Sequence, residues 1–136
     1  DCFATDVDKI SFQSTEFIGT LSERYTLQSS STSLINCESH NYITRSVTLE
    51  IGREDIVRIK TYNKLLKSGA ASNLYLQSGA FVDVTGNGIA AIPDGHTLPV
   101  RNYTSDSTRP KLLGYTVNEQ KHLRLRFSEP MMRRSF

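Results

Sequence analysis

The sequence predicts an all-β, antiparallel fold with one short helix, and three observations carry that expectation. Apolar residues alternate with Ser, Thr, Gln and Glu at period two in most patterned segments. Ser and Thr fill 29 of the 136 positions and Trp is absent, a polar, β-leaning composition more usual in secreted or surface modules than in cytosolic enzymes. The length suits one compact domain with a real core and is short for two.

Along the chain, Ile10 and Phe12, then Tyr25 and Leu27, then Val47, Leu49 and Ile51 place apolar side chains on one face of successive half-buried strands. The Ser-rich stretch 28–33 between them reads as a loop. Alternation breaks after Gly52. Glu54 and Asp55 fall in a first turn, and Ile56 and Ile59 sit three apart, which predicts a short helix near residues 53–61. Leu74 and Leu76 restart the strands. Residues 80–84 form the next, ending at the turn Thr85-Gly86-Asn87-Gly88. Residues 89–92 and 98–100 flank a Pro93-Asp94-Gly95 turn.

Residues 102–110, with linker character, end the body at about residue 104, and 105–110 join it to a last hairpin within 111–136. In that hairpin the strands 112–117 and 122–127 flank Asn118-Glu119-Gln120. Six or seven extended linker residues reach only about 20 to 24 Å, short of a domain's length. Charge divides the chain as well. Residues 109–136 carry seven Lys or Arg and two Asp or Glu, net +5, against nine and twelve, net −3, in residues 1–108.

The overall charge of +2 gives no electrostatic reason to expect nucleic acid, and no apolar run approaches the 18 residues of a membrane span. Cys2 and Cys37 form an even pair without metal-ligand spacing. A disulfide between them, worth about 3 to 4 kcal/mol by loop closure, is the natural reading, with two separate buried thiols as the other. Asn102-Tyr103-Thr104 is a glycosylation sequon. With Asp at position 1, the chain is expected to be a processed or excised piece, located outside the cell or secreted.

Taken in order, the segments ISFQS, YTLQSS, SVTLEIG with EDIVRIK, LYLQSGAFVDVTGNGIAAI, YTSDSTRP and LLGYTVNEQKHLRLRFSEPM cover most of the chain. This ordered set resembles the immunoglobulin-like or cadherin-like β-sandwich repeats of large extracellular animal proteins and bacterial surface proteins. The resemblance implies an Ig-like antiparallel sandwich of about seven strands and a structural or adhesive role, with no active site. In such repeats the linker and the two strands after it open a module, so the register here is circularly shifted and the body lacks its opening hairpin.

A sandwich missing two strands exposes unpaired backbone and apolar core positions, and strand donation from a neighbour fills such a gap. Repeated head to tail, the contact is heterologous and builds a filament or larger matrix unless it closes into a ring. The expected assembly interface is Leu112, Leu113, Tyr115, Val117, Leu123, Leu125 and Phe127, and the expected partners are further copies of the chain, adjacent repeats or other matrix proteins. A competing reading is a self-contained binding module that recognises carbohydrate, an anionic polymer or mineral surface, or another protein. Its candidate residues are the loops 28–33 and 90–97, or a basic stripe of His122, Arg124, Arg126, Arg133 and Arg134.

Catalysis finds no footing. There is no GxSxG, and His40, His96 and His122 are far apart in sequence. Asp83, Asn87, Asp94 and Asp106 are oxygen ligands in type but lack a calcium-loop pattern, so they are read as turn formers, and no metal or cofactor is expected.

Overall fold

The computed structural model describes residues 5–35, 46–83, 85–129 and 131. Cys2, Cys37, Arg133 and Arg134 lie outside them. The chain divides into two units, residues 1–103 and 104–136. The described residues form antiparallel sheets with a single α-helix, the all-β class that alternation predicts.

In the first unit, strands β1 (Ile10–Gln13), β2 (Arg24–Thr26), β3 (Ser33–Ile35) and β4 (Thr48–Glu50) precede helix α1 (Arg53–Thr61), and β5 (Asn73–Leu76) and β6 (Leu98–Pro99) follow it. One sheet runs in the order β2-β1-β5-β6, and β3 pairs with β4 in a second. Register aligns two rows across one face of the larger sheet, because opposed residues share a face. Phe12 stands opposite Tyr25 and Leu74, and Leu74 opposite Leu98. Ile10 stands opposite Leu76, which bridges to Ile92, while Leu27 donates its N–H to the Ile10 carbonyl.

The core gathers on the second row. Leu27, Ile10 and Leu76 are buried together with Val7, Ile59 and Ala80, and Leu49 and Ile51 pack against them. The first row is less covered: Tyr25, Phe12 and Leu74 are half-buried and Leu98 is 55% exposed. The opposite face of the sheet is polar. There Ser11 and Thr26 share a hydrogen bond of 2.8 Å and the Arg24 guanidinium lies 3.6 Å above the Tyr75 ring.

Helix α1 spans the residues that its acidic first turn and apolar spacing predict, but its buried positions are Asp55 and Ile59, one turn apart, while Ile56 is 39% exposed. The Asp55 carboxylate accepts from the Tyr25 hydroxyl at 2.6 Å, the Gln28 N–H at 3.3 Å and the Thr32 hydroxyl. Burial, then the bond to Asp55, push the Tyr25 hydroxyl up to about 12. Gly52 lets the helix start against the 28–32 turn, since a Cβ there would stand 1.9 Å from the Ser31 carbonyl oxygen. At the other end Glu23 accepts from the N–H groups of Asn63, Lys64 and Leu65 at 2.7 to 3.0 Å.

The strand expected at 80–84 reduces to single bridges, Phe81 with Thr5 and Val82 with Gly88, and Val84 lies outside the described residues. The Asp83 N–H still donates to the Asn87 carbonyl at 2.9 Å, and the Asp83 carboxylate closes the turn that follows by taking the backbone N–H groups of Thr85 and Asn87 and both their side chains.

Gly52→Ala is expected to lower the stability of the first unit by about 2 kcal/mol or more through overpacking, read as a lower urea midpoint with an unchanged slope. Acid is expected to weaken the same unit. Burial alone would raise the Glu23 carboxyl, but its three backbone bonds outweigh that and hold it below its usual 4.5. The Gln13 amide, then the Ile18 N–H, hold Asp94 low as well. Their contribution is complete above about pH 4.5 and shrinks as pH falls through the folded values. Urea midpoints measured from pH 6 down to 2.5 should therefore decline, and less steeply in Glu23→Gln.

Candidate assembly surface

The second unit contains a hairpin of β7 (Leu112–Val117) and β8 (Leu123–Phe127), a two-stranded sheet of its own. Its turn is closed by Lys121 N–H to the Asn118 carbonyl at 2.9 Å and His122 N–H to Asn118 Oδ1 at 2.9 Å, with Lys121 in the left-handed region at φ 60°. This is the three-residue connection that matches strand twist. Ser128 and Lys111 close the open end by donating to each other, N–H to carbonyl at 2.9 Å and N–H to hydroxyl at 2.8 Å.

Register sorts the side chains. Val117 opposes Leu123, Tyr115 opposes Leu125 and Leu112 opposes Phe127, while Thr116 opposes Arg124 and Gly114 opposes Arg126. The register slips between Leu112 and Gly114, a bulge that sets both Leu112 and Leu113 against Phe127. The bulge adds to the apolar side at the open end of the hairpin. All seven residues expected at an assembly interface thus belong to one short ribbon. Exposure there runs from 46% at Leu125 to 68% at Tyr115, with Phe127 half-buried.

Two-stranded hairpins are marginal in water, and stable sheets need a third strand or a packed face. Covering six such half-exposed side chains is worth about 1 kcal/mol each, or roughly 6 kcal/mol gross, at about 25 cal/mol per Å². That is comparable to the lower range of what association costs, about 4 to 15 kcal/mol. The arrangement suits reversible association that responds to concentration.

The other sequence-marked residues divide. Arg124 and Arg126 share the face opposite the apolar one, and the His122 ring lies 3.5 Å from the Asn118 amide nitrogen at the turn. Asn102 is exposed in a bend, beside Tyr103, whose hydroxyl donates to the Leu66 carbonyl at 2.7 Å. The loops considered for ligand recognition spend polar groups on the body. Gln28 and Thr32 donate to Asp55, Ser29 donates to Asp8, and Asp94 accepts from Gln13 at 3.0 Å and Ile18 at 2.9 Å. Asp83 and Asn87 bond to each other, and Asp106 accepts from the Thr108 N–H at 3.0 Å. Among the described residues no group of three or more His, Cys, Asp or Glu converges to hold a metal. Leu98 carries no sequence signal of a site, because its alternation is ordinary and only its exposure distinguishes it.

Lys121→Gly relieves a left-handed residue that costs about 1 kcal/mol in a non-glycine side chain. Amide exchange at Thr116 and Arg124, the hydrogen-bonded pair two residues beyond Asn118 and His122, should slow about fivefold if the hairpin opens as a unit. Comparisons with known protein families, with curated proteins and with solved structures find no match to the chain.

Proposed function

We propose that the chain is a structural protein of the extracellular space, an immunoglobulin-like module that associates head to tail by donating β7 and β8 to the body of a second copy. The observation that carries this reading is the exposed apolar face of the hairpin, Leu112, Leu113, Tyr115, Val117, Leu123, Leu125 and Phe127, on a ribbon with no third strand among the described residues. Charge supports the same partner, since the segment 109–136 is net +5 and the segment 1–108 net −3. A donated hairpin adds its two strands to β1 through β6 of the second copy and completes an immunoglobulin-like sandwich. The donor and acceptor surfaces differ, so the contact propagates into a filament or matrix unless it closes into a ring. An extracellular setting agrees with the Ser- and Thr-rich composition and with a sequon whose Asn102 is exposed.

Sedimentation of the full chain across a concentration series tests the reading. The mass is expected to rise with concentration for the parent chain and to stay monomeric for Leu125→Asp, with the circular dichroism of the body retained. A parent chain that remains monomeric throughout, or a variant that assembles as well as the parent, overturns it.

A further inference from the structure

We infer that the acceptor for the donated hairpin is the uncovered end of the β2-β1-β5-β6 sheet, the row Phe12, Leu74 and Leu98 with Val100 beside it; this rests on the donation reading above and names the surface that receives the hairpin. The row lies on the same sheet face as the core, with Phe12 and Leu74 packed against it, yet its burial fails at β6. In the neighbouring row Leu27, Ile10 and Leu76 are 0%, 2% and 3% exposed. In this one Phe12, although on a central strand, is only half-buried, Leu74 is half-buried, and Leu98 and Val100 are 55% and 39% exposed. The connection from β1 to β2 leaves from the same end of the sheet and carries Phe17 and Leu21, 67% and 80% exposed. The three most exposed of the body's large apolar side chains, Leu21, Phe17 and Leu98, thus belong to this end, while Val47, Ile56, Val57 and Ile89 are 36 to 42% exposed on other segments.

The edge strand itself is a poor template. Val100 donates its N–H inward, to the Ser72 carbonyl at 2.9 Å, so residue 99 faces outward, and Pro99 has no N–H to offer there. A partner therefore gains little by extending this sheet beyond β6 and gains more by packing on its face. The hairpin offers such a face, apolar on one side and backed by Arg124 and Arg126 on the other. A second copy is the favoured occupant because its hairpin segment is basic and the body acidic, with Glu16 exposed in the β1–β2 connection. Donor and acceptor faces then each find their complement in one polypeptide.

The test uses two variants of the full chain. Leu98→Asp spoils the acceptor and keeps the hairpin, whereas Leu125→Asp spoils the hairpin and keeps the acceptor. Each alone is expected to sediment as a monomer, and an equimolar mixture to give a species of twice the mass that grows no further, containing one of each. If Leu98→Asp assembles as the parent does while Leu125→Asp does not, donation stands and this acceptor is wrong. If both are monomeric and their mixture is too, the acceptor is also wrong. Assembly by Leu125→Asp removes the donation reading itself. Val100→Asp serves in place of Leu98→Asp should the latter lose its circular dichroism, and the same outcomes decide.

Discussion

The arrangement of the body depends on one buried carboxylate. Asp55 is fully buried, and moving an ion of that kind out of water costs several kcal/mol unless its oxygens are satisfied. They are satisfied by three donors from two places, the Tyr25 hydroxyl on β2 and the Gln28 N–H and Thr32 hydroxyl of the turn before β3. Hydrogen bonds to a charged group return about 1.5 to 3 kcal/mol each, so the bonds offset the cost only if helix, strand and turn hold one relative position. Gly52 makes that position reachable, because its missing side chain is what allows contact with Ser31. The helix is therefore anchored on the β2 side of the sheet.

That anchoring decides what is left open. With α1 fixed near Tyr25, Ile59 reaches the core around Ile10, Leu27 and Leu76, while cover runs out toward Leu98. The polar face of the sheet offers no alternative site for apolar packing, since Ser11, Thr26, Arg24 and Tyr75 occupy it with contacts of their own. The exposed apolar surfaces also carry features that limit indiscriminate pairing. Strand β6 is two residues long and contains Pro99, β7 is bulged at its start, and β8 alternates Leu with Arg. Short, bulged, proline-bearing or charged edges resist the strand-on-strand growth that leads to aggregates. What they leave available is face packing, which is selective for shape.

Alternation and turn chemistry made the elements legible where local forces decide them. The helix over 53–61 follows from acidic residues at its start, and the hairpin turn follows from Asn118, which caps it with both carbonyl and side chain. Legibility ended where a side chain answered to distant groups. Asp55 read as a dipole-complementing residue of the first turn, yet it is the buried one, and Ile56 beside it faces water, because Tyr25 and Thr32 are distant in sequence. At Asp83 the failure was local but of a different kind. The pattern Ala80-Phe81-Val82 favours a strand, and it pairs through single bridges, Phe81 with Thr5 and Val82 with Gly88, up to a turn that the Asp83 carboxylate closes with four donors from the next residues.

The hairpin shows the remaining boundary of sequence reasoning. Its alternation, Leu123-Arg124-Leu125-Arg126-Phe127, states that one face is meant to be dry and one wet, but alternation is silent on which chain does the drying. Exposure supplies the missing quantity. The apolar face of the two-stranded ribbon stays about half open, and the core-side row opens at Leu98. Neither surface is large enough to hold a permanent complex by apolar area alone, as the gross gain and the association cost are of the same order, several kcal/mol.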